Sequence, residues 1–216
     1  MPTARESLLS AALRALDQRP WSAVRMVDVA ASAGVSRQTL YNEFGSKDGM
    51  ARALVRREAD AYFHGVDQLL AERAGPSAAE QLVALAEWTV ARARARPLLR
   101  ALLTGCWGER LPVPRPAEQG APFAAAPAQR RADAGPPAPA DVAAAVRERS
   151  LAALERARSN GPPHPDEAAA LAHRCELTVR LALSFVVAPD REGVAGLVRT
   201  AVTPPPGPAP APSANG

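Results

Sequence analysis

The chain has 216 residues with a formal net charge of +4, so any hold on a polyanion must come from a local surface rather than from bulk charge. Apolar residues make up 47% of the sequence and aromatics only 4%, with much Ala and no alternating Val/Ile/Thr/Tyr run; strands are excluded and closely packed helices expected. The two cysteines lie far apart with no metal-ligand spacing, no uninterrupted leader core opens the chain, and no 18-residue apolar run occurs. These features predict a reducing, cytoplasmic setting with no membrane span, metal or cofactor.

In chain order, Leu8, Leu9, Ala12, Leu13 and Leu16 recur at helical spacing and predict a first helix over 4–18, ended by Arg19-Pro20, with Trp21 packed under it. A short helix over 26–33 stops at Gly34. Ser36 caps a third over 37–44 that buries Leu40 and Phe44, and Ser46 caps a long fourth over 47–73. Gly75-Pro76-Ser77 separates this from a helix over 78–96, on which Arg92, Arg94 and Arg96 read as a solvated face. Pro97 opens a helix over 98–104, closed by Gly105. Residues 108–139 carry eight of the 22 prolines and read as a long loop. Helices over 140–159 and 166–188 follow, then a last one over 191–202 and a Pro-rich tail predicted to be disordered.

Function concentrates in residues 29–47, VAASAGVSRQTLYNEFGSK. Two short helices joined by a tight Gly-containing turn form a helix-turn-helix pattern. It presents Arg37, Gln38, Tyr41 and Asn42 outward. Arg can take guanine bidentately, Gln and Asn adenine, while Thr39 and Tyr41 hydroxyls can reach phosphates. A solvated polar face is the plainer reading of any such helix, but it gives an exposed tyrosine no purpose. Of the 26 basic residues, Lys47 is the single lysine. It falls in the first turn of a helix, where a cation opposes the dipole at a cost of about 0.3–1 kcal/mol unless an anion lands there.

The run AASAGVSRQTLYNEFGSKDGM resembles the signature of the TetR family: a small-residue helix, Gly-Val-Ser, Thr-Leu-Tyr and Phe-x-Ser-Lys at these spacings. SRQTLYNEFGSK also resembles a subset of that family found near alkane and fatty-acid oxidation genes. Two positions depart from the family pattern. Arg25 stands where a Thr or Ser usually caps the second helix, so it can replace a phosphate contact but not the cap. Glu43 stands where His or Tyr is frequent, and a carboxylate there should turn to an Arg or Lys of its own chain.

The resemblance implies an all-α fold with a DNA-binding domain over 1–46, a helical ligand-binding and dimerisation domain over 47–203, and a tail over 204–216. It implies a repressor bound to a palindromic operator through Arg25, Ser36, Arg37, Gln38, Thr39, Tyr41, Asn42 and Lys47. It implies a homodimer paired through about 140–159 and 166–188, and release by a small hydrophobic molecule. Candidates for that pocket are Phe63, Trp88, Leu99, Leu103, Cys106, Trp107, His173 and Leu177, with core packing the plainer reading of each. A DNA-binding activator, a nucleoid-type protein or a small helical enzyme are the alternatives; the three histidines and two cysteines form no catalytic pattern that would favour the last.

Overall fold

The computed structural model describes residues 2–72, 77–115, 135–158 and 164–203. Among them every long element is an α-helix, as composition requires: α1 (Ala4–Gln18), α2 (Met26–Ala33), α3 (Arg37–Phe44), α4 (Lys47–Glu72), α5 (Ala78–Ala95), α6 (Pro97–Thr104), α7 (Pro139–Arg156), α8 (Pro165–Val187) and α9 (Val194–Val202). The tail over 204–216 and the Pro-rich stretch over 116–134 lie outside the described residues.

The helix starts follow local chemistry. Thr3 with Glu6, and Ser77 with Glu80, form reciprocal capping boxes for α1 and α5. Pro97, Pro139 and Pro165 occupy the first turns of α6, α7 and α8, where a missing N–H costs nothing. Gly34 ends α2 at φ 69°, a left-handed turn that a side chain would strain. The last helix begins three residues later than its apolar pattern suggests. Residues 191–193 form a bend, and Gly193 precedes the first helical residue, Val194.

A small N-terminal bundle forms as α1 packs on α2, α3 and α4. Its centre is Leu8, Ala12, Val29, Leu40, Phe44 and Met50, all nearly solvent-free. Of the predicted core face of α1, Leu13 and Leu16 stay half-buried instead. The remainder of α4 runs into a second bundle, against α6 and α7, while α5 packs along α8 and α9. There Tyr62 stacks on Trp88 with ring centroids 5.6 Å apart, and its hydroxyl meets the Thr89 hydroxyl at 3.1 Å.

One long-range pairing is absent from the sequence reading. Arg96, expected on a solvated face, turns inward at the α5–α6 joint and grips the buried Glu58 of α4 with two hydrogen bonds, 2.5 and 2.6 Å. The carboxylate holds the guanidinium above its ordinary pKa, against the opposing effect of burial. Glu58 lies four residues from both Leu54 and Tyr62, within the apolar stripe of α4; that register was the available sign of a buried charge needing a partner.

Beyond α6, residues 105–115 form a strap back to the N-terminal bundle. The Trp21 amide donates to the Arg110 carbonyl at 2.9 Å, Arg52 donates to the Arg115 carbonyl at 3.1 Å, and Arg115 approaches Asp48 at 3.9 Å.

Candidate nucleic-acid interface

Ser36 starts α3: its hydroxyl accepts from the Thr39 amide at 3.0 Å and shares a 2.8 Å hydrogen bond with the Thr39 hydroxyl. With Leu40 and Phe44 anchored inside, helical spacing leaves Arg37, Gln38, Tyr41 and Asn42 outside. The Gln38 amide donates to the Asn42 carbonyl oxygen one turn on, at 2.8 Å, which aligns the two carboxamides along the exposed face. Tyr41 is 46% exposed, a large aromatic left at the surface of an otherwise well-buried small bundle.

Beside α3 lies an open groove of about 410 Å³. Arg25, Arg37, Tyr41 and Lys47 line it together, although they come from a loop, a helix start, a helix middle and the next helix start. No carboxylate lines it. Arg25 occupies the cap position of α2 without capping it; its guanidinium instead pairs with Asp28 at 3.0 Å, a carboxylate that also meets Arg19 at 3.6 Å. The first residues of α2, Met26 and Val27, form part of the wall.

Lys47 is tethered rather than loose. Its ammonium donates to the Ser22 carbonyl at 3.1 Å and sits 5.3 Å from the centre of the Trp21 ring. Desolvation in this corner lowers its pKa from the ordinary lysine value, with the Asp48 carboxylate opposing the shift. Ser46 accepts from the Gly49 amide at 3.0 Å and so fixes the helix start on which Lys47 stands. Glu43 turns to its own chain, 3.3 Å from the Arg5 guanidinium, which in turn covers the Phe44 ring at 4.8 Å.

Residues 8–54 match the sequence profile of "Bacterial regulatory proteins, tetR family". The N-terminal segment is thus similar to the DNA-binding domain of that family. It is 41% identical over 101 residues to the HTH-type transcriptional regulator AlkX of Mycobacterium tuberculosis, a match covering 47% of each chain. The match thus spans about half the length of the curated relatives. The fold is that of the TetR family repressor AlkX from Dietzia sp., implicated in biodegradation of n-alkanes, with TM-score 0.50, 24% identity and 93% and 91% of the two chains covered. It is likewise that of a tetR-family transcriptional regulator from Streptomyces coelicolor, with TM-score 0.52, 16% identity and 94% and 79% coverage.

The eight residues expected to line a ligand pocket do not converge. A cavity between α4, α5, α7 and α8, lined by Tyr62, Leu103, Val142 and Thr178, has only about 10 Å³, room for one water at most. Leu103 lines it. Leu99 is fully buried elsewhere in the core, while Phe63, Trp88, Trp107 and Leu177 are half-buried at its edge. Cys106 and His173 are exposed. Among the described residues no cluster of His, Cys, Asp and Glu could hold a metal ion, and no helix is long and apolar enough to cross a membrane.

Proposed function

We propose that the chain is a sequence-specific transcription regulator that acts as a repressor on a palindromic operator and is released by a small hydrophobic molecule. The observation that carries the DNA-binding half is the groove in which Arg25, Arg37, Tyr41 and Lys47 converge with no carboxylate among them. In this reading Arg37, Gln38 and Asn42 meet base edges in the major groove, and Arg25, Thr39, Tyr41 and Lys47 hold phosphates. Ser36 sets the register of the reading helix. A phosphate in the groove restores to Lys47 the stabilisation that desolvation removes, and meets the uncapped start of α2, whose dipole favours an anion.

A palindrome requires two copies of α3 about 34–36 Å apart, hence a dimer. In this reading its seam runs along α7 and α8. Ala143, Ala144 and Leu183 line a shallow groove between these helices, and Val187, one turn beyond Leu183, is 58% exposed. Small side chains there permit close helix approach. The described strap and the helix α4, shared between both bundles, supply the mechanical link from an effector to α3. An effector can act only through different affinities for the two states.

The test is a band shift on DNA upstream of the gene, with random DNA as competitor. A salt-sensitive shift on a palindrome that random DNA does not compete away supports the reading. No shift, or equal competition by random DNA, overturns it.

A further inference from the structure

The interior cavity is filled, but the junction between the two bundles is not. An open cleft of about 510 Å³ lies there, within the size range of small-molecule sites. Its walls come from three separate elements: Leu13 and Leu16 of α1, Pro97 and Leu98 at the α5–α6 joint, and Leu111 of the strap. These are the leucines of α1 that the N-terminal core leaves half-covered. The Glu58–Arg96 pair lines the same cleft, and Asp17 and Arg110 complete its charged groups. The charged lining, Asp17 and Glu58 with Arg96 and Arg110, sums to zero formal charge, and Glu58 is already gripped by Arg96, so the cleft carries no net charge to draw an anion or a cation.

We propose that this cleft is an effector site for an uncharged, predominantly apolar molecule, and that its occupancy reaches the DNA-facing groove through the strap. The route is short. Leu111 forms a wall, the adjacent Arg110 carbonyl holds the Trp21 amide at 2.9 Å, and the Trp21 ring carries the Lys47 ammonium. A guest that moves the strap relative to α1 therefore moves the shelf on which Lys47 rests. Binding at the cleft stands on its own; its consequence for DNA rests on the regulator reading above.

The experiment uses the full chain and two dyes with one skeleton: uncharged N-phenyl-1-naphthylamine and its sulfonated anilinonaphthalene counterpart. Saturable binding of the uncharged dye at one site per chain is expected, with the anionic dye at least tenfold weaker. Ala95→Trp, at an exposed position on the cleft's rim, should raise the Kd for the uncharged dye at least tenfold without lowering the melting temperature. Leu111→Asp, in the strap outside any helix, should do the same and serves if Ala95→Trp misfolds. Hydrogen exchange at the Trp21 amide should change with dye in the parent chain and not in either variant. Absence of saturable binding, equal affinity for the two dyes, or a Kd unmoved by both variants overturns the site. Binding that leaves Trp21 exchange unchanged overturns the coupling. If the uncharged dye binds as described while no DNA shifts, the regulator reading fails and the site stands.

Discussion

Lys47 shows how one side chain can be held ready without being consumed. Its ammonium has a carbonyl and an indole face for company, yet burial still lowers its pKa. Lys47→Ala should weaken operator binding and reduce the slope of log affinity against log salt by about one, with helix content unchanged by circular dichroism. Arg37→Ala and Gln38→Ala should instead relax base preference, by about 1–3 kcal/mol for each good contact, read from binding to single-base operator variants. At the core, burial pushes the Tyr62 hydroxyl up to about 12, against a smaller opposing effect of its bond to Thr89. A raised folded pKa favours the protonated form, so this stabilisation is complete below pH 10 and lost as pH climbs towards 12, about 2–3 kcal/mol in all. Cys175, pushed up to about 11 mainly by burial, loses its share from pH 9 upward. Urea midpoints at pH 9 and 11.5 should fall accordingly, and Tyr62→Phe should remove the Tyr62 part of the drop.

At the level of elements, the joint between α3 and α4 is unusually close. A Cβ on Gly49 would lie 2.0 Å from the Phe44 carbonyl oxygen, so Gly49→Ala should displace α4 from α3 and destabilise the N-terminal bundle by about 1–3 kcal/mol, measured by denaturant unfolding. Arg96→Ala should cost about 1–3 kcal/mol by denaturant unfolding, because it leaves the Glu58 carboxylate without its partner at a joint that water reaches only from the cleft side. The helices themselves were legible because Ser, Gly and Pro punctuate them at positions whose chemistry is local. The reading face of α3 was legible for the same reason: an eight-residue helix with Leu40 and Phe44 inside has little choice of what to expose. The Glu58–Arg96 grip joins residues 38 positions apart and the junction cleft gathers residues from Leu13 to Leu111, and no local pattern encodes which distant side chains meet. Apart from His173, the candidate pocket residues share their largely apolar character with the whole core; only contact geometry separates lining from filling.

For the whole molecule, dimerisation sets whether two copies of α3 can engage one duplex together. Val187→Glu places a charge on the exposed end of the proposed α7–α8 seam and should give a monomer by light scattering, with far weaker operator binding but unaltered helicity. A dimer that persists in this variant would move the seam elsewhere. The boundary after residue 46 that the resemblance implies falls at the start of α4, and α4 contacts α1 and α3 as well as α6 and α7. The two bundles therefore share a continuous rod, and a tilt of that rod displaces the reading helix directly.

Because Lys47 is the single lysine among 26 Lys and Arg residues, the sequence carries a single side-chain amine, and it stands at the edge of the groove beside α3. Its lowered pKa raises the fraction of neutral, nucleophilic amine at a given pH above that of an ordinary lysine. Acylation of this one nitrogen would erase a positive charge where a phosphate is expected to sit. The molecule thus has one chemical switch point among its side-chain amines, and the rate at which it is acylated would serve as a footprint of groove occupancy.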